Sequence, residues 1–401
     1  MRYTLLFSYA AGVMRARIFF PSLLFLLSGA AFGQTLGQAS GPWILEKSGT
    51  TAGLRGIHAV GGGVAWASGT NGTVLRTEDG GYEWQTCAMP PGADKLDFRG
   101  VWAWDDNTAI VMSSGTGDLS RIYRTTDGCS SWKLLFTNPD KDGFWDAVVF
   151  WNRDDGEILG DPVLSDVGDL KIVATGPGFS NTGKDEGKVA KKNRFATFST
   201  WDGGNTWART MNGFLRSDPK RSGAFAASNS SLMRLDVGWG WIGIGGQDGS
   251  FVYRGQSATD LPMSDGLSWT KVAVPITGGT DSAGVFSVAF ADSRHGVAVG
   301  GDYTKPNDSA GTAAWSADGG KTWTAAAKPP HGFRSAVAWD PDLKAWIAAG
   351  TNGSDISYDD GNTWVPLDDG SWNALSLPWV VGPGGRIAKL DAGKVASAPS
   401  R

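Results

Sequence analysis

Cysteine, histidine and charge are all scarce in this chain of 401 residues. Two cysteines, Cys87 and Cys129, and three scattered histidines, His58, His295 and His331, give no metal-ligand spacing, so a zinc site has nothing to be built from. Charged residues make up 19% of the chain and nearly cancel, leaving a formal net charge of -4. General attraction to nucleic acid or to an anionic membrane is thereby excluded, and any basic site must be local. No nucleotide-binding loop, metal set or reactive thiol supports redox chemistry, and no cofactor is expected. Long apolar runs are missing too: Ile18 to Leu27 is shorter than the about 20 residues that a membrane-spanning helix needs.

That short run has a different meaning. Arg15 and Arg17, just after Met14, precede it, and a small-residue stretch from Ser28 to Gly33 follows it, which is the order of a secretory signal. Residues 1–33 are read as a signal peptide, with Met1 or Met14 as the true start; an uncleaved anchor is the alternative. No cysteine lies near the exit, against a lipoprotein. The mature chain is expected to be periplasmic or secreted, monomeric and without a membrane span. Export allows Cys87 and Cys129 to form a disulfide at the rim between adjacent units; two buried free thiols are the other reading.

Glycine and tryptophan are plentiful, with 58 and 20 copies. That combination suits many tight turns between short strands with aromatic packing between sheets. Its source is an octet of the form Ser/Thr-x-Asp-x-Gly-x-Thr/Ser-Trp, complete at Ser316 to Trp323, Thr200 to Trp207 and Ser357 to Trp364. Thr77 to Trp84 has Glu83 for the hydroxyl residue, Thr125 to Trp132 has Cys129 for the second glycine, and Ser264 to Trp269 is a shortened relic. The Asp accepts backbone N–H groups of its own turn, the Gly takes a conformation that a side chain forbids, and the Trp restarts a strand. Asp79, Asp127, Asp202, Asp265, Asp318 and Asp359 are therefore read as structural. The pattern resembles the Asp-box, or BNR, repeat of β-propeller blades.

Each octet follows two strand-like runs and precedes one more, a four-stranded antiparallel meander. Leu54 to Cys87 and Arg99 to Leu135 are the first two units. The third carries a polar insertion, 161–194, between its second and third strands. Units four to six end at Trp269, Trp323 and Trp364. The seventh, after Trp372, lacks a last strand, and Trp43 to Lys47 reads as a last strand without the other three. Joining them gives an all-β, seven-bladed β-propeller, a single domain over 34–401 whose last blade is closed by an N-terminal strand and which leaves no open edge.

In propellers the first strand of each blade lines the channel. Aligning the units puts Arg55, Arg99, Asp146, Asn229, Ser287, Arg334 and Asn373 at one equivalent position beside the mouth, with Asp161, Asp302 and Tyr303 on loops around it. Three arginines there suit carboxylate or phosphate groups, since forked guanidinium donors bind them in pairs. The alternative is that each arginine pairs with a neighbouring Asp.

Seven blades, Leu54 to Ile57, Arg76 to Trp84 and closure by an N-terminal Trp strand are similar to the photosystem II assembly and stability factor family of Asp-box propellers and its relatives in non-photosynthetic bacteria, over about Trp43 to Leu390. The resemblance implies a protein-binding arginine patch on the mouth face, with Arg55, Arg99 and Arg334 as the corresponding positions. The long third-unit insertion and the broken fourth octet depart from that family. The leading expectation is a secreted, non-catalytic binding or assembly scaffold that engages an acidic peptide or other anionic ligand. A sialidase-type glycoside hydrolase is the enzymatic alternative, since those families also carry Asp boxes and an arginine cluster. Its Phe-Arg-Ile-Pro signature is absent, and Tyr303 has no Glu beside it to complete a nucleophile. A purely structural surface protein is the third.

Overall fold

The computed structural model describes residues 41–165, 192–210, 215–236, 238–257 and 267–395. The expected signal peptide, Asp265 and most of the insertion lie outside the described residues. Short β-branched and aromatic runs separated by Gly, Asn and Asp turns form hairpins, and hairpins in series form meanders. Among the described residues, five four-stranded sheets result, with a sixth sheet of nine strands in which two further meanders join. The first meander runs through Leu54–Gly61, Val64–Gly69, Val74–Thr77 and Gln85–Thr86. The last combines Ala374–Ser376, Trp379–Val381 and Ile387–Leu390 with the N-terminal Trp43–Glu46, which pairs antiparallel to Ile387–Leu390. Among the described residues no helix is long and apolar enough to cross a membrane.

The core lies between the sheets. Trp66 and Val74 of the first meander pack with Phe98, Val111 and Tyr123 of the second. The same face-to-face burial repeats from each meander to the next, and Leu54, Ile57 and Trp84 of the first share a cluster with Trp379, Val381 and Ile387 of the last. Glu46 ties this junction: its carboxylate accepts both the Trp84 indole N–H at 2.7 Å and the Trp379 indole N–H at 3.1 Å. Burial raises the Glu46 pKa, partly offset by those two hydrogen bonds. Gly81, at φ 94°, leaves the space that this carboxylate fills.

The octets form self-bonded turns. In the fifth meander Asp318 accepts the Ser316 hydroxyl at 2.9 Å, the Thr322 N–H at 3.0 Å and the Thr322 hydroxyl at 2.7 Å. Asp202 and Asp359 repeat that set. Asp127, which accepts the hydroxyls of Ser131 and Thr125 and the Ser131 N–H, has its pKa held down to about 2. Asp79 lacks the hydroxyl contact that Glu83 cannot make, but accepts the Glu83 N–H at 3.1 Å.

Two boundaries differ from the sequence reading. The third meander's middle strands, Asp155–Ser165 and Lys192–Trp201, stay paired as far as Ser165 and Lys192, so positions 161–165 and 192–194 belong to the sheet and not to the insertion. The fourth meander's first strand is Leu232–Asp236, not the segment around Asn229. Residues 224–231 instead cross between sheets. Asn229, at φ 63°, accepts the Val148 N–H at 2.8 Å and donates to the Val148 carbonyl at 3.0 Å. Ser228 donates to the Ser335 carbonyl at 2.7 Å, and Ser230 to the Ser287 hydroxyl at 2.7 Å.

Cys87 and Cys129 are bonded, with their Cα atoms 5.3 Å apart, joining the outer edge of the first meander to the octet turn of the second across 42 residues of sequence. Cys129 takes the left-handed conformation, φ 63°, of the glycine that it replaces. Closing a loop of that length removes conformations from the unfolded chain. The Cys87→Ser, Cys129→Ser double variant is expected to lose about 2–4 kcal/mol of unfolding free energy in a urea titration while keeping its far-ultraviolet spectrum.

Candidate functional site

The first strands of successive meanders lie side by side, and that of the first meander lies beside that of the last. Near their starts several carry a β-bulge, one extra residue that slips the register. The extra residue is Arg55 in the first, Arg99 in the second, Asp146 in the third and Phe286 in the fifth. A bulge turns the extra side chain out of the pleat, and a small residue follows each one: Gly56, Gly100, Ala147 and Ser287. At Gly100 a Cβ would meet Asn229 Oδ1 at 2.9 Å, so the crossing segment needs that glycine.

Three of the four bulge residues, Arg55, Arg99 and Phe286, line a cavity of about 300 Å³ together with Tyr303, Phe225 and Phe333; Asp146 does not. One part of the lining is cationic. Arg99 Nε donates to Asp97 Oδ2 at 2.8 Å and Arg99 Nη1 to the Ala226 carbonyl at 3.1 Å, while Arg55 Nε lies 3.4 Å from the other oxygen of Asp97. Two guanidiniums thus share one carboxylate. Burial lowers the Arg55 pKa, Asp97 opposes that shift and Arg99 adds to it, yet a guanidinium stays charged. Another part of the lining is aromatic: Phe225 stacks on Phe286 with centroids 3.7 Å apart, and Phe333 meets Phe286 edge-on at 4.7 Å. Tyr303, 53% exposed, stands at the rim against Phe286.

The expected third arginine is not there. Arg334 is fully buried, with Nε and Nη2 donating to Asp355 Oδ2, and Nη1 donating to the Phe333 carbonyl at 2.7 Å and Asn352 Oδ1 at 2.6 Å. His331 Nδ1 lies 2.9 Å from Asp355 Oδ1. Burial alone would raise the Asp355 pKa, but the His331 hydrogen bond and the Arg334 charge outweigh it and leave it lowered. A guanidinium so occupied has no donor for a ligand; it holds the loop that carries Phe333. Asn229 likewise spends its amide on Val148, and Asp302 accepts the Thr304 N–H and hydroxyl at 3.0 and 2.7 Å in its own turn. Asn373 does line the cavity, its amide donating to the Leu54 carbonyl at 2.7 Å.

Asp146 and Asp161 are side by side in the third meander, each the extra residue of a bulge on neighbouring strands. Asp146 is 1% exposed, and its Oδ2 has no hydrogen-bond partner. Burial first, then repulsion from Asp161, raises its pKa well above the carboxylate range against the opposing charge of Arg99. Asp161 accepts the Ala224 N–H at 3.1 Å, yet burial pushes its pKa up to about 6.

Sequence reasoning missed Phe225, Phe286 and Phe333. The signal for Phe286 was present: Phe286-Ser287-Val288 repeats the grammar of Arg55-Gly56-Ile57 and Arg99-Gly100-Val101, so the mouth-facing member of the fifth unit is Phe286 and not Ser287. No Glu or Asp lines the cavity with Tyr303, so the paired groups of a sialidase mechanism are not assembled among the described residues.

Among solved structures, the chain matches "YCF48 bound to D1 peptide" at 17% identity and TM-score 0.55, over 89% of this chain and 97% of that one. It matches "WD40 beta propeller domain of Doa1" at 12% identity and TM-score 0.51, over 90% and 100%. The fold is a β-propeller. No protein-family description and no curated protein matches the chain. The meanders are therefore propeller blades, and the cavity opens where their first strands begin.

Two outcomes follow for the propeller. Arg334→Ala is expected to cost about 3–5 kcal/mol of unfolding free energy, because it removes the guanidinium from the buried Asp355 carboxylate and leaves it with His331 alone; denaturant titration measures it. The folded-state pKa values of Asp146 and Asp161 exceed their unfolded values, so between about pH 4 and the folded values the native state binds more protons and stability falls as pH rises. Asp161→Asn keeps the acceptor for Ala224. It is expected to match the wild type near pH 4 and exceed it by about 1–3 kcal/mol at pH 8, read from unfolding titrations at both.

Proposed function

We propose that this chain is an exported, non-catalytic binding or assembly scaffold: a seven-bladed Asp-box propeller, its last blade completed by the N-terminal strand, whose mouth takes an acidic segment of another protein. The observation that carries this reading is the mixed cavity, with Arg55 and Arg99 sharing Asp97 in one part of the lining and Phe225, Phe286 and Phe333 in another. Two guanidiniums against one carboxylate at the mouth leave unused forked donors, which suit a carboxylate. The aromatic part suits an apolar or aromatic side chain beside that carboxylate. A solved propeller of similar fold is bound to a peptide, which supports a peptide as the class of ligand. The Cys87–Cys129 bridge supports export, since disulfides persist outside reducing compartments.

An acetylated peptide of alternating glutamate and phenylalanine is a suitable probe. Arg55→Ala and Arg99→Ala are each expected to weaken it by about 1.5–3 kcal/mol, the range for a hydrogen bond to a charged group, with a shallower salt dependence than the wild type. Phe286→Ala is expected to weaken it while leaving the salt dependence unchanged. Isothermal titration calorimetry at two salt concentrations checks both, and wild-type affinity in the Arg55→Ala, Arg99→Ala double variant would remove the mouth as the site.

A further inference from the structure

Arg99 is the hinge between two sets of carboxylates. On the cavity side it meets Asp97, which it shares with Arg55. On the other side its charge reaches Asp146, which lies against Asp161. The crossing segment joins the two sides physically: Ala224 N–H donates to Asp161, and the carbonyl of Ala226, two residues on, accepts from Arg99. The charge of Arg99 opposes the proton on Asp146, and the segment 224–231, whose first N–H bonds Asp161, carries no charged residue.

We propose that the buried Asp146–Asp161 pair is a proton-binding element that sets how strongly the mouth holds an anion, through its charge on Arg99. The inference rests on the reading of the mouth as an anion site. Asp146 is enclosed, and its Oδ2 is left without a donor, so it neither touches a ligand nor has a fixed partner that would neutralise it. A carboxylate held in that way must choose between keeping a proton and facing a second carboxylate unscreened. With one proton shared, the pair carries a negative charge that competes with any ligand for the field of Arg99. With a second proton bound, that competition ends. Burial places the Asp161 titration at about 6, so the second proton enters within the range an exported protein meets. Anion affinity therefore rises as pH falls, opposite to the loss expected from titrating the ligand's own carboxylates.

An aromatic sulfonate, anilinonaphthalene sulfonate, is the probe of choice, because its charge is constant from about pH 5 to about pH 8. Fluorescence titration of the wild type is expected to show affinity about three- to tenfold higher at the acid end, the size of one unit charge acting through a partly screened site. Asp161→Asn is expected to bind nearly as tightly at both ends, close to the wild type's acid value, and Arg99→Ala to abolish the pH-dependent component. Asp161→Ser serves as a second variant with the same expected flattening if Asp161→Asn fails to fold. A flat wild-type profile, or an unchanged slope in a folded Asp161→Asn or Asp161→Ser variant, overturns the inference while leaving the mouth as an anion site. No Arg99-dependent binding at any pH overturns the mouth reading and the inference together.

Discussion

A peptide backbone that runs through the interior must find partners for every N–H and C=O, and in this propeller the segment 224–231 does so by bonding to blades other than its own. Asn229 substitutes for a strand at Val148, Ser228 reaches Ser335, Ser230 reaches Ser287, and Ala226 receives Arg99. One piece of chain is thereby fixed to the second, third, fifth and sixth blades at once. The consequence for the mouth is direct: Phe225, Ala226 and Ala227 form part of its lining, so the cavity's shape is set by the same bonds that hold neighbouring blades together.

The turns and the order of the strands were legible because their chemistry is local. An octet carries its own acceptors and donors, so Asp318 or Asp359 can be assigned from eight residues without knowing what surrounds them. The pairing of Trp43–Glu46 with the C-terminal strand was legible too, since an orphan last strand and a blade missing one imply each other. The site was less so. Arg334 occupies a position equivalent to Arg99, and nothing nearby in sequence announces that Asp355, 21 residues on, will bury it. Asn229 was placed with the strand starts when the units were aligned, whereas its conformation is that of a crossing.

The bulges explain why alignment by pattern worked for some blades and slipped in others. Each adds one residue, and a one-residue slip exchanges the two faces of a strand. In the fifth blade that slip moves Phe286 into the cavity and turns Ser287 to the hydroxyl network with Ser230. An apolar side chain then joins the two arginines in the lining, which is why the cavity is of mixed character and not a ring of charge.

Glu46 couples separations of very different length. Its carboxylate receives indoles from the first and the last blade, 38 and 333 residues away in sequence, so one side chain serves both a near contact and the seam between those blades. A change at Glu46 therefore strikes both blades together, because the buried indole N–H groups of Trp84 and Trp379 lose the acceptor they share.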